Sequence, residues 1–89
     1  GRNVPTKCLG VFGMPSWVTE QDVRNIFSPY GVIDHLNVIF DRETGQCRGY
    51  GFVYYSSVEE AKRARLALRG GTIDGIPLFI DFFVNRRED

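Results

Sequence analysis

Apolar residues recur along this chain with two different periods. Val23, Ile26, Phe27 and Tyr30 fall three or four apart, as do Val58, Ala61, Ala64, Ala67 and Leu68, and each set makes one stripe of an amphipathic helix. Thr19 precedes the first set as an N-cap candidate, with Glu20 and Asp22 in the first turn favouring the positive end of the helix dipole, and Pro29-Tyr30-Gly31 stops it. Ser57 followed by Glu60 has capping-box spacing before the second set, and Gly70-Gly71 close it. Glu20/Arg24 and Glu59/Arg63 stand i,i+4 on these helices. Around the helices lie short runs rich in β-branched and aromatic residues, which predict strands over Cys8–Phe12, Ile33–Phe40, Tyr50–Tyr55 and Leu78–Phe83. Asp41-Arg42-Glu43-Thr44-Gly45 makes a turn between the second and third strands, with Gly45 suited to positive φ, and Asp74-Gly75 makes a tight turn before the last strand.

The predicted order is β-α-β-β-α-β, the α+β, ferredoxin-like sandwich: a four-stranded antiparallel sheet with both helices on one face. Its other face is bare. Residues two apart in a strand point the same way, so Leu9, Val11, Val53 and Tyr55 make a core set facing the helices, while Phe12, Tyr50 and Phe52 stand on the helix-free face. By the same alternation Phe79 and Asp81 lie on that face in the last strand, and Asn37 and Ile39 in the second. Exposed rings serve solubility poorly but suit stacking of flat partners such as unpaired bases.

Composition sharpens this picture. At 89 residues the chain is one domain with little core to spare, yet it carries seven Phe, four Tyr and one Trp, more rings than a small core readily buries. Eleven Lys+Arg balance eleven Asp+Glu, so there is no net positive field to draw polyanions from a distance and contact chemistry must carry more of any nucleic-acid binding. Cys8 and Cys47 form no disulfide framework and fit a reducing compartment; they also lack metal-ligand spacing, and Cys8 reads as a small hydrophobe at a strand start. No apolar run reaches membrane-span length, no signal-peptide profile opens the chain, and a start at Gly1 suggests an excised piece of something longer. His35 has no neighbouring nucleophile or acid and reads as a surface or strand-edge residue, and no phosphate-binding glycine loop occurs, so no catalytic residue, metal or cofactor is expected. Trp17 reads as a packing anchor, and Lys62, Arg63, Arg65 and Arg69 as a solvated helix face away from the aromatics.

The stretch Arg48-Gly49-Tyr50-Gly51-Phe52-Val53-Tyr54-Tyr55 meets every specified position of the octamer K/R-G-F/Y-G/A-F-V-x-F/Y. It resembles the RNP1 signature of the RNA recognition motif family and falls on the predicted third strand. Leu9-Gly10-Val11-Phe12-Gly13-Met14 stands where that family carries its partner signature, RNP2, with Gly10 where an aromatic is usual and Phe12 as the available ring. Cys8 to Gly13, the Thr19 to Gly31 segment, Asp74-Gly75 and Ile80-Asp81-Phe82 resemble the transformer-2 splicing regulators, although Phe83 to Arg87 depart from their tail.

The resemblance implies an RNA recognition motif over residues 7–83, between an N-terminal flank, 1–6, and a C-terminal flank, 84–89. It implies a non-enzymatic, monomeric module of a pre-mRNA splicing regulator, nuclear or shuttling between nucleus and cytoplasm, binding single-stranded, purine-rich RNA. Other splicing factors would engage regions outside this chain, and no membrane is involved. Bases would stack on Phe12, Tyr50 and Phe52, and Arg48 would take a phosphate or base edge. Asn37, Ile39, Phe79, Asp81 and the flanking Arg86 would line the path. The alternatives are a protein-interaction module, which in this fold usually works through the helical face, a single-stranded DNA binder, and an mRNA-binding protein outside splicing.

Overall fold

The computed structural model describes residues 4–84. Its strands in chain order are β1 (Cys8–Phe12), β2 (Ile33–Phe40), β3 (Cys47–Tyr55), β4 (Thr72–Ile73), β5 (Ile76–Pro77) and β6 (Phe79–Phe82). Four of them form one sheet in the order β2-β3-β1-β6, every neighbouring pair antiparallel. Helices α1 (Glu20–Phe27) and α2 (Val58–Leu68) contribute to a single core on one face of it. The strands β4 and β5 make a small separate hairpin around Asp74-Gly75, both of which take positive φ, 50° and 80°, as a type I′ turn demands.

Local chemistry explains where the helices start. Thr19 is extended, its hydroxyl accepts from the Asp22 N–H at 3.1 Å, and the Asp22 carboxylate accepts from the Thr19 N–H at 2.9 Å, closing a capping box. At α2 the Ser57 hydroxyl accepts from the Glu60 N–H at 3.2 Å, but the Glu60 carboxylate turns elsewhere. It accepts from the Ser56 and Ser57 hydroxyls and from the Val32 N–H at 3.0 Å, tying the start of α2 to the start of β2. Gly31 makes room for this, since a Cβ there would come within 2.6 Å of the Glu60 side chain.

The Ser56 hydroxyl, then the Val32 N–H, holds the Glu60 carboxyl below the usual glutamate value of 4.5. A depressed folded-state pKa means the anion stabilises the fold above the unfolded pKa, and that stability is lost as pH falls through the folded value. Melting curves recorded between pH 7 and pH 3 should therefore show Glu60→Gln less stable than the wild type at neutral pH, with the difference shrinking below pH 4.5. Parallel curves would deny Glu60 this part in acid sensitivity.

The buried core holds Leu9, Val11, Leu36, Val38, Val53, Tyr55 and Ile80 from the sheet against Val23 and Phe27 of α1 and Ala61 and Ala64 of α2. The Tyr55 hydroxyl donates to the Phe27 carbonyl at 2.7 Å, and burial pushes its pKa up. Some expectations are corrected. β3 begins at Cys47 rather than Tyr50, because Cys47 pairs with Phe40 and its N–H donates to the Ser16 carbonyl at 2.8 Å. The last strand begins at Phe79, since the Leu78 N–H is drawn to the Gly71 carbonyl at 3.0 Å beside the end of α2; it ends at Phe82, although the Phe83 N–H still bonds the Cys8 carbonyl.

Ala67 is exposed, lying about 100° round the helix from Leu68 and so off the buried stripe. Neither Glu20–Arg24 nor Glu59–Arg63 closes as an ion pair among the described residues; Arg63 donates to the Tyr30 carbonyl at 2.9 Å instead. Trp17 is 51% exposed, and its neighbour Val18, fully buried, is the anchor of that loop. Among the described residues no helix is long and apolar enough to cross a membrane, and no three His, Cys, Asp or Glu side chains cluster as a metal site.

Candidate nucleic-acid interface

Register places the candidate residues in two rows across the helix-free face. Phe79, Phe12 and Tyr50 are aligned across β6, β1 and β3, and Asp81, Gly10, Phe52 and Asn37 across β6, β1, β3 and β2. Phe12 and Tyr50 stack with ring centroids 6.2 Å apart and planes 13° from parallel, while Phe52 stands edge-on to both, at 6.4 Å from Phe12 and 6.1 Å from Tyr50. Gly10 shapes this cluster. A Cβ there would meet the Phe12 ring at 2.9 Å, so the Phe12 ring lies over the bare backbone of Gly10 and leans toward Phe52. The glycine that departs from the RNP2 pattern thus creates the space that Phe12 fills.

Gly51 serves the opposite face: a Cβ there would come within 2.9 Å of the Asn37 carbonyl oxygen, so its bareness lets β2 and β3 pair closely behind Phe52. Arg48 is exposed near the start of β3, just before Gly49 at φ 97°. The Thr44 and Glu43 N–H groups donate to the Asp41 Oδ1 at 3.0 and 2.8 Å and hold that carboxyl below its usual value, and the Arg48 charge adds to their effect. Asn37 is exposed in its row, whereas Ile39 falls at the register shift between Val38 and Phe40 and is half-buried.

Asp81 is aligned with Gly10, but its carboxylate is engaged at the sheet edge. Its Oδ1 accepts from the Phe82 N–H at 2.7 Å and lies 3.1 Å from Nε of Arg65, an ion pair whose angle falls short of a hydrogen bond. Arg86 lies outside the described residues. Three features escaped sequence reasoning. Phe83, past the end of β6, packs its ring on Phe52 at 4.6 Å and forms a wall of the cluster, a position that alternation from Phe79 and Asp81 signals. His35, exposed, lies against the Tyr54 ring at 5.5 Å and extends the aromatic surface toward β2. Arg65 and Arg69, expected on a helix face remote from the rings, both reach β6: the Arg65 guanidinium sits 5.1 Å over the Phe82 ring, and Arg69 shares a cleft with Phe12 and Phe79. No signal in the sequence marks this, because it depends on how α2 sits across the sheet.

The chain belongs to the RNA recognition motif family: residues 9–78 match its sequence profile. Among curated relatives it is 39% identical to human (Homo sapiens) Transformer-2 protein homolog alpha over 83 residues, 93% of this chain and 29% of that protein. The chain therefore spans under a third of that relative's length. Among solved structures it resembles the Rna15 RNA recognition motif with bound RNA (GU), at TM-score 0.85 and 25% identity over 91% of this chain and 86% of that one. It also resembles the Sxl-lethal protein/RNA complex, at TM-score 0.79 and 34% identity over 90% of this chain and 49% of that one.

Proposed function

We propose that this domain is a non-enzymatic module that binds single-stranded RNA across its helix-free face. The observation that carries the reading is the ring cluster of Phe12, Tyr50 and Phe52, held at adjacent register positions of β1 and β3 on the face the helices leave uncovered. Two to four nucleotides would lie across the sheet. Bases stack on the three rings, Arg48 takes a phosphate or base edge, and Asn37, Ile39 and Phe79 line the path. Asp81, anchored to Arg65, retains its second carboxylate oxygen for a base amino group. Each stacked base contributes about 1–3 kcal/mol, and three of them less the cost of ordering the strand correspond to roughly micromolar affinity. By its likeness to the Transformer-2 proteins, the parent protein is a nuclear splicing regulator that prefers purine-rich RNA and engages other splicing factors through regions outside this chain.

An NMR titration with short purine-rich and pyrimidine-rich RNAs tests the reading. The expected result is that amides of β1 and β3 shift most, with the purine-rich strand the stronger ligand, while the body of α2 from Ala61 to Leu68 stays quiet. Shifts centred on Ala61–Leu68 with a quiet sheet would overturn it in favour of recognition through the helical face.

A further inference from the structure

The helix-free face does not end at β6. A cleft of about 320 Å³ opens at that edge, with Phe12 and Phe79 on its sheet side and Arg69 and Gly70, the turn that ends α2, on the other. This volume lies at the small end of ligand-binding clefts and has room for a group the size of one nucleotide. Its cause is a divergence of rings. Phe12 leans over Gly10, while the Phe79 ring rests against the bare backbone of Gly13, where a Cβ would approach it to 3.3 Å. Although Phe12 and Phe79 are register partners, their rings part, and Phe79 remains 65% exposed.

The charge of the cleft is lopsided. Asp81 lines it, but Arg65 lies 3.1 Å from that carboxylate and balances it. Among the described residues the Arg69 guanidinium has no ion pair or hydrogen bond of its own, so it is the uncompensated charge at the rim. An exposed ring beside an uncommitted guanidinium, continuous with the sheet cluster through Phe12, suits a base and its phosphate together.

We propose that this edge cleft is a subsite for one further nucleotide of the bound strand, its base against Phe79 and its phosphate at Arg69. The proposal rests on the RNA reading of the sheet and extends the path round β6 to the end of α2. Arg65 acts as a positioning residue that keeps Asp81 from repelling the phosphate.

The test is fluorescence anisotropy with labelled RNAs of mixed A and G. A four-nucleotide strand is compared with strands lengthened by one nucleotide at the 5′ or the 3′ end. In the wild type, one of the two extensions should tighten binding about fivefold or more, the low end for one stacked base. Arg69→Gln should remove most of that gain while leaving the four-nucleotide affinity within about twofold and the melting temperature unchanged; Phe79→Ala should also lose the gain. A gain that survives Arg69→Gln, or no gain from either end, overturns the edge subsite. The sheet reading stands or falls separately, on four-nucleotide binding and its loss in Phe52→Ala. Failure of the wild type to bind any of these RNAs would overturn both.

Discussion

Phe52→Ala should lower RNA affinity about tenfold or more, with roughly 1.4 kcal/mol for each decade and about 1–3 kcal/mol for one stacked base. The side chain stands on the helix-free face in register with Gly10 and Asn37, and its ring meets Phe83, Tyr50 and Phe12. Its removal takes away a stacking surface and the wall against which Phe83 rests. The core on the other face is untouched, so the cost to the fold is that of lost ring contacts across strands, roughly 0.2–1 kcal/mol for each of those with Phe12 and Phe83. In a domain this small, each kcal/mol lowers the melting temperature by about 4–8 °C. Anisotropy and thermal melts on the same sample check both halves. An affinity within twofold of the wild type would show that the face carries RNA, if at all, without this ring.

Phe27→Ala should do the reverse. Phe27 closes α1, is 1% exposed, and lies in the core with Val23, Tyr55 and Ala61. Truncating a buried ring costs about 3–5 kcal/mol, because the cavity only partly collapses. A folded domain commonly has about 0.05–0.15 kcal/mol of stability per residue, so the loss is a large share of what 89 residues hold. The Tyr55 hydroxyl keeps its acceptor, the main-chain carbonyl of residue 27, so the effect reports packing rather than an orphaned hydroxyl. The urea midpoint should fall by at least about 1 M. Under conditions where the variant stays folded, its RNA affinity should match the wild type. A stability loss below about 1 kcal/mol would contradict the burial on which the core rests.

These two rings were separable in advance because strand and helix periods are local properties. Alternation in β3 puts Phe52 opposite Val53, and the 3.6-residue repeat puts Phe27 on the stripe with Val23, before any long-range contact is considered. The same local logic predicted the bounds of β1 and β2, the caps at Thr19 and Ser57 and the turn at Asp74-Gly75, since a cap or a tight turn depends on residues within about four positions of each other. The octamer from Arg48 to Tyr55 could be matched in the same way, because its aromatics act through two-residue spacing within one strand.

What lay beyond sequence reasoning involves partners far apart in the chain. The Glu60 carboxylate keeps the Ser57 hydroxyl but spans 28 residues to the Val32 N–H instead of turning back to the backbone N–H of its N-cap, a choice made by the approach of α2 to β2 with no side chain at Gly31 in the way. The ring of Phe83 lands on Phe52 because β6 is the neighbour of β1, and β1 of β3. Arg65 and Arg69 reach β6 for a reason of the same kind. A charged helix residue several positions along looks solvent-bound in any pattern of periods, and only the seating of α2 along the outer strand brings its guanidinium to Asp81 or into the cleft beside Phe79. Sequence alone thus determined the two helices, the four strands of the sheet, their two faces and the rings of Phe12, Tyr50 and Phe52 on the open one, because each follows from the period of a short segment. Tertiary structure alone decided how those rings lean, what walls them in and where the face ends, because these follow from packing between segments whose order in space no local period encodes.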